Sequence, residues 1–451
     1  MNSRYVCLEM NTTWGAVFVC QGGGLEQKAA VLAASLRRQN GSAPRLVAAI
    51  PGPATQWPRP AERTIAYLES LDVQIVETEN PIGDHYPIGN KFGCLSVMPD
   101  VDRCFILDSD LLSLAPILPK DVPPAALSVK PEDRPGPWID RASWRQLYRW
   151  AGMPRWQRSE EITTTVSRHR MPPYFNAGVV ALDPATGIGE RWVEWSRRID
   201  PATEIRYRHP WLDQVALPIA ARSIGVEPAH LDESWNFPAH HWLLREPVRF
   251  AHYHEPTVIE EDPLLWRGLR DLVAEDVELR AILDQDETWR RIIRREEPIP
   301  RSQFVLLAAQ PNSDVSGALD SFAQLGFASL KLDLPFVKRV SVESDLTWVA
   351  TWLRKKWLEH DSARGPLVMW DNTSLWRHAD AVFNSIDGYS IVVVEQGRTS
   401  MSTRIRALSD HGLLAPRLRS ASIESQHELK HWLERADLAE PVARQGDGVG
   451  R

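Results

Sequence analysis

Apolar residues in the first third of the chain come in short unbroken runs, and between the runs they recur at helical spacing. Ala16-Val17-Phe18-Val19-Cys20 is the first run. Gln21-Gly22-Gly23-Gly24 follows, and then a helix from Leu25 to about Arg38 whose apolar set is Leu25, Ala29, Leu32, Ala33 and Leu36. Leu46–Ile50 predicts a second strand, ended by Pro51-Gly52-Pro53, with a helix around Ala61–Leu71 and a strand at Val73–Val76. Asn80–Asn90 is a loop rich in Pro and Gly, and Lys91 opens a helix with Phe92, Leu95 and Met98 on one side. Unbroken apolar strands alternating with helices predict a doubly wound α/β domain with a mostly parallel, Rossmann-like sheet.

The next run is Cys104-Phe105-Ile106-Leu107, and it leads into Asp108-Ser109-Asp110. Ligands of open α/β sheets sit outside the carboxyl ends of the strands, where these two carboxylates fall. In an extended chain, residues two apart point the same way, so the carboxylates repel unless a cation lies between them. A hard divalent ion shared with a substrate diphosphate suits such a pair; a helix cap beside a solvated Asp is the alternative.

Further along, residues 131–175 are rich in Arg and Trp, with Asp140 placed to cap a helix bearing Trp144, Leu147, Tyr148 and Ala151 and ending at Gly152. Gln157–Arg170 is polar, and an insertion here can hold an acceptor substrate. A strand at Val179–Leu182 follows a small polar corner, Asn176-Ala177-Gly178. Asn176 can hydrogen-bond ligand hydroxyls there. Trp211-Leu212-Asp213-Gln214 starts an apolar helix through Leu217 and Ile219, with Asp213 as candidate cap. Phe250-Ala251-His252-Tyr253-His254 places two imidazoles on one side of a strand, and either could meet a metal.

Residues 271–300 are charged and helical, with Leu279, Ile282, Leu283 and Trp289 on one face, and close in the linker Glu297-Pro298-Ile299-Pro300. A second, smaller α/β pattern begins at Phe304–Ala308, with a helix ending near Leu325-Gly326 and strands at Leu367–Trp370 and Ser390–Glu395. The expected division is therefore a domain over 1–270, a helical linker over 271–300, a second domain over 301–438 and a disordered tail over 439–451.

Composition narrows the function. Lys+Arg number 52 against 59 Asp+Glu, a formal charge of −7, which argues against a nucleic-acid binder held by phosphate contacts. The four cysteines form no CxxC pair, so neither a zinc site nor a disulfide framework is expected. No stretch approaches the roughly 20 apolar residues needed to span a bilayer, and the expectation is a soluble cytoplasmic protein. The 19 Trp suit carbohydrate stacking, and suit core packing equally well.

Six stretches, in order, resemble the retaining glycosyltransferases of family 8, the glycogenin and lipopolysaccharide galactosyltransferase type with a GT-A fold. They are Asn90-Lys91-Phe92, Leu107-Asp108-Ser109-Asp110, Tyr174-Phe175-Asn176-Ala177-Gly178, Leu212-Asp213-Gln214, Trp235-Asn236 and Ala251-His252-Tyr253, and the resemblance spans roughly residues 15–270. It implies that Asp108, Asp110 and His252 bind Mn2+ or Mg2+. It implies that Lys91, Ser109, Asn176 and the Val19, Cys20, Gly22 segment contact a nucleotide-sugar donor, UDP-sugar first. Asp213 and Gln214 would line the reacting centre, and sugar would pass to an acceptor with retention. The chain departs from the pattern at His254-Glu255-Pro256-Thr257, where the family carries a Lys that meets the diphosphate. A catalytically impaired sugar- or nucleotide-binding scaffold is the alternative this departure favours. A haloacid dehalogenase-type phosphatase, which also sets Asp-x-Asp after a strand, is the third reading.

The C-terminal part faintly resembles the sulfotransferase version of the P-loop fold, with Asn312–Leu319 where the donor phosphate would sit. Glu395 stands where that resemblance calls for an Arg, and a carboxylate repels phosphate. The implied role is a degenerate domain used for dimerisation, acceptor docking or stability.

Overall fold

A computed structural model describes residues 13–118, 121, 124–133, 140–154, 158–165, 170–206, 208–240 and 248–294, and beyond them mainly six strands. The chain divides into two compact units, one over residues 1–240 and 244–296, the other over 241–243 and 297–451.

The first unit starts with β1 (Trp14–Val19), α1 (Gly24–Asn40), β2 (Arg45–Gly52), α2 (Glu62–Ser70) and β3 (Val73–Glu79). The alternation expected from sequence is present, and each run of apolar residues is a strand buried along most of its length. After a 3-10 turn come α3 (Asn90–Gly93), β4 (Arg103–Leu107), β5 (Leu111–Ser113) and β6 (Leu127–Pro131). The helix expected to run from Lys91 through Met98 is only α3 followed by a second 3-10 turn, because Pro99 lies close beyond it and cannot continue the hydrogen-bond ladder. Next are α4 (Arg141–Trp150), capped by the Asp140 carboxylate as expected, then β7 (Ile162–Thr163), β8 (Arg170–Met171) and β9 (Phe175–Leu182).

The strand expected at Val179–Leu182 therefore begins at Phe175, and Asn176-Ala177-Gly178 is strand rather than corner. A register shift against β6 between Val129 and Lys130 accommodates it. The irregularity turns these residues toward the carboxyl end of β4.

Then come α5 (Ile188–Ile199), α6 (Leu212–Ser223), β10 (Ala229–His230), β11 (Phe237–Pro238) and β12 (Phe250–His252). Four helices close the unit: α7 (Pro256–Glu261), α8 (Pro263–Glu275), α9 (Val277–Leu283) and α10 (Glu287–Arg294).

The main sheet has the order β10-β6-β9-β4-β1-β2-β3, with β3, β2, β1 and β4 parallel and β9 antiparallel between β4 and β6. On one face Val17, Ile106 and Val180 pack with Trp192 and Leu217; on the other Phe18, Phe105 and Ala29, Leu32 and Leu36 of α1 surround Trp235. Trp235 stacks on Phe105 at 5.7 Å. A third cluster joins Tyr253, Trp266, Leu279, Ile282, Leu283 and Trp289, so the apolar face of the charged stretch over 271–294 is buried within this unit.

A small second sheet, β11-β12-β5, positions the site. β5 pairs antiparallel with β12, setting Leu111 opposite His252. The turn Asp108-Ser109-Asp110 thus bridges the main sheet and the small one.

The second unit, by itself, contains β13 (Phe304–Ala309), β14 (Ala328–Lys331), β15 (Leu367–Asp371), β16 (Ser390–Gln396), β17 (Thr403–Leu408) and β18 (Ser422–Ile423). Its order is β14-β15-β13-β16-β17-β18, the first four parallel and the last two antiparallel. The three strands expected from sequence are β13, β15 and β16. The loop at Asn312–Ala318, the helix end near Leu325-Gly326 and the tail 439–451 lie outside the described residues.

Trp235→Ala is expected to cost about 3–5 kcal/mol, the range for emptying a large buried aromatic site. A thermal midpoint unchanged from the parent would mean the layer behind Phe105 collapses without penalty.

Candidate active site

β4 ends at Leu107, and Asp108, Ser109 and Asp110 turn out of the sheet at its carboxyl end. The turn is pinned from both sides. The Asp108 amide donates to the Gly178 carbonyl at 2.9 Å, and the Ser109 hydroxyl donates to the Val19 carbonyl at 2.5 Å. The Tyr253 amide donates to the Asp110 carbonyl at 3.1 Å, extending the β5–β12 pairing by one residue.

This pairing delivers His252. Its Nε2 lies 3.0 Å from Asp110 Oδ1 and 3.9 Å from Asp108 Oδ2. Its Nδ1 lies 3.0 Å from Asn236 Oδ1, and Asn236 in turn donates from Nδ2 to Asn176 Oδ1 at 2.8 Å. With its Nδ2 so used, Asn236 presents Oδ1 to His252, which places the proton on Nδ1 and turns Nε2 toward the carboxylates. Gly178 is required beside it: a Cβ there would stand 2.6 Å from the imidazole. The close approach that the missing side chain at Gly178 permits is made by His252.

The two histidines do not share a strand. β12 ends at His252, and His254 adopts φ 55°, a left-handed conformation that costs a non-glycine residue about 1–2 kcal/mol. That twist stacks its ring on His252 at 3.8 Å and brings Nδ1 3.9 Å from Asp110 Oδ2. One ligand atom each from Asp110, His252 and His254 lies within 4.8 Å of the others. Two carboxylates and two imidazoles converging from one turn and one strand end form a donor set that fits a divalent cation.

Lys91 stands on the other side of Asp108. Its Nζ is 2.7 Å from Asp108 Oδ1 and 3.0 Å from Asp213 Oδ2, and it donates to the Ala177 carbonyl at 3.2 Å. Asp213 does not cap α6; its carboxylate holds Lys91, and Tyr86 reaches it with a hydroxyl at 3.4 Å. The next residue, Gln214, has a buried Oε1 with no hydrogen-bond partner among the described residues. Asp108, Asp110, His252, Lys91, Asn176, Ser109, Val19 and Asp213 are thus one connected cluster. Cys20 is core, its thiol pushed up to about 12 by burial and then by Glu26. At Gly22 the space a Cβ would need is taken by the Arg59 carbonyl, 2.5 Å away.

Charge inside the cluster is uneven. Burial raises the Asp108 carboxyl despite Lys91. Burial also works against the charged forms of Asp110 and His252, but each outweighs it for the other: Asp110 falls below its ordinary range and His252 rises above its own. His254 is pushed down to about 3, by burial and then by His252. Burial would lower Lys91 too, but Asp108 and Asp213 hold it above its ordinary value.

Two residues here were not singled out from sequence. Glu132, just past β6, is pushed up to about 7 by burial and then by Asp133. Lys28, in α1, reaches the His254 carbonyl. Neither carries a motif; a lone Lys in an amphipathic helix looks like any solvated face. The polar Gln157–Arg170 stretch is anchored where described, Glu160 pairing with Arg222 and Glu161 with Arg141 at 2.6 Å.

Residues 16–225 match the family model of the Rhodobacterales glycosyltransferase domain. The chain carries a glycosyltransferase domain. Its sheet is mixed and mostly parallel, and the family match favours sugar transfer over the phosphatase reading. No protein of curated function matches in sequence. Among solved structures the chain is similar to mouse xyloside xylosyltransferase 1 in its apo form (15% identity, 53% of this chain and 96% of that one, TM-score 0.35). It is similar to the galactosyltransferase LgtC in complex with donor and acceptor sugar analogs (15% identity, 62% and 99%, TM-score 0.36). It is similar to apo GlyE, a glycosyltransferase of Streptococcus pneumoniae (13% identity, 83% and 84%, TM-score 0.36). Among the described residues no helix is long and apolar enough to cross a membrane.

In the metal-free glycosyltransferase domain the raised His252 contributes stability present in full below about 6.5 and lost as pH rises through its folded value. The lowered Asp110 contributes stability present above about 3.9 and lost as pH falls. The lowered His254 likewise contributes only above about 6.5, losing it on acidification. Asp110→Asn is expected to lower the His252 titration midpoint, read from imidazole resonances in NMR. An unmoved midpoint would mean that Asp110 does not hold the His252 proton.

Proposed function

We propose that the first unit moves a sugar from a nucleoside-diphosphate sugar, UDP-sugar in first place, to an acceptor hydroxyl. Mn2+ or Mg2+ would be held by Asp108, Asp110 and His252. The observation that carries this is the meeting of Asp108, Asp110 and His252 at the carboxyl end of β4 in a glycosyltransferase domain. The mixed oxygen and imidazole set favours Mn2+, and His254 is a further ligand of the same ion.

The chain's own residues have separable tasks. Asn236 orients His252 with Nε2 toward the ion. Lys91 keeps the Asp108 and Asp213 carboxylates in place without mutual repulsion. The ion, when bound, acts as a Lewis acid on the diphosphate as charge builds on the bridging oxygen. Val19, Cys20 and Gly22, at the end of β1, mark the side on which the nucleotide base would lie. Asn176 would line the sugar, and Gln214 with Asp213 is assigned to the reacting centre. The buried, unpartnered Gln214 Oε1 supports a group kept for a ligand. Retention of the anomeric configuration follows from the family resemblance and belongs to the same reading.

Thermal stability with a panel of nucleotide sugars, each with and without Mn2+, tests the proposal. A donor present at about 100 times its Kd stabilises the fold by about 2.7 kcal/mol. The expected result is a rise for one nucleotide family that requires Mn2+ and is lost in Asp110→Ala. No shift with any donor and metal would sink the enzyme reading. A shift with no sugar released to water or acceptor would point to the binding scaffold.

A further inference from the structure

The charges at this site leave nothing for a diphosphate. Asp108, Asp110 and Asp213 are balanced by Lys91 and one divalent ion, and Lys91 is already shared between two carboxylates. A nucleoside-diphosphate sugar brings two further negative charges. A third develops as the sugar leaves. An imidazole ligates an ion in its neutral form, so His252 and His254 add no positive charge as ligands.

One more cation faces the cluster. Lys28 lies just over one turn into α1, which begins directly after β1 and so at the carboxyl end of the sheet. Its side chain is only 11% exposed, and its charge is felt at both Asp110 and His254. Its Nζ donates to the His254 carbonyl at 2.5 Å. Its other neighbour, Glu255, is 3.9 Å away and 73% exposed, and an ion pair so long with a solvated partner holds little. An ammonium has three N–H donors, and among the described residues one is used at hydrogen-bond distance.

We propose that Lys28 binds the diphosphate of the donor and stabilises it as the leaving group. This rests on the donor reading above. In the step it serves, the bond from the anomeric carbon to the diphosphate oxygen breaks with its electron pair passing to that oxygen. The acceptor oxygen forms the new bond to the anomeric carbon, and the acceptor's proton goes to the departing diphosphate. Lys28 meets the charge that exists before that proton arrives. It is thereby a catalytic residue in contact with substrate.

Calorimetric titration of the full chain at excess Mn2+ tests this, with UDP, inorganic pyrophosphate and Mn2+ alone as probes. Lys28→Gln is expected to weaken UDP and pyrophosphate binding about 10- to 100-fold, the scale of one charge-assisted contact. It is expected to leave Mn2+ binding within about twofold of the parent, and Lys28→Arg to recover most of the loss. If Lys28→Gln binds UDP and pyrophosphate as the parent does, the Lys28 assignment falls and the donor site stands. If Mn2+ binding falls in parallel, Lys28 only supports the His254 turn and the assignment falls. If the parent binds neither UDP nor pyrophosphate, the donor reading and the assignment fall together.

Discussion

Two carboxylates from distant parts of the chain share one buried ammonium, and the rest of the site is arranged around that fact. Asp108 leaves the end of β4, Asp213 opens α6, and Lys91 lies in α3 between them. Burial disfavours the charged form of Asp108, and Lys91 works against that. Removing one partner of such a group strands a buried charge, at a cost of about 3–5 kcal/mol. Lys91 therefore sets where α3 and α6 approach β4, and the mouth of the sheet keeps its shape before any ligand arrives. Trp192 adds to this by donating its indole N–H to the Asp213 carbonyl at 2.8 Å, tying α5 to the same point.

The other half of the site depends on backbone pairing rather than on charge. β5 and β12 are three residues each, too short to stand as a sheet alone. They are held because Tyr253, Trp266 and Trp289 bury the far side. The closing helices α7 to α10 are thus part of the machinery that puts an imidazole on Asp110, although none supplies a ligand atom to it.

Much of this was legible in the residues. The apolar runs at Ala16–Cys20, Leu46–Ile50 and Cys104–Leu107 are short and have no polar alternation, as strands buried on both faces do. Asp108 and Asp110 were visible because two like charges at a strand end demand an explanation. His252 was visible together with His254 as one of two imidazoles in an apolar run, and only the resemblance chose between them. What stayed hidden was non-local. The register shift that makes Asn176 part of β9 depends on β6. The left-handed turn at His254 has no Gly or Asn to announce it. Lys28 and Glu132 become notable only by what surrounds them, which no spacing along the chain records.

The bond between Asp110 and His252 joins residues 142 positions apart. Contacts of that span form late, because the intervening chain must first be collapsed and paired. During synthesis, which proceeds from the N-terminus, the Asp108-Ser109-Asp110 turn and its Lys91 partner emerge well before the imidazole does. A chain still held at residue 252 has a completed core of parallel strands and no complete cation site. Completion of the fold and assembly of the Asp110, His252 and His254 cluster are therefore the same event, and a chain that ends before residue 252 lacks both imidazoles of it.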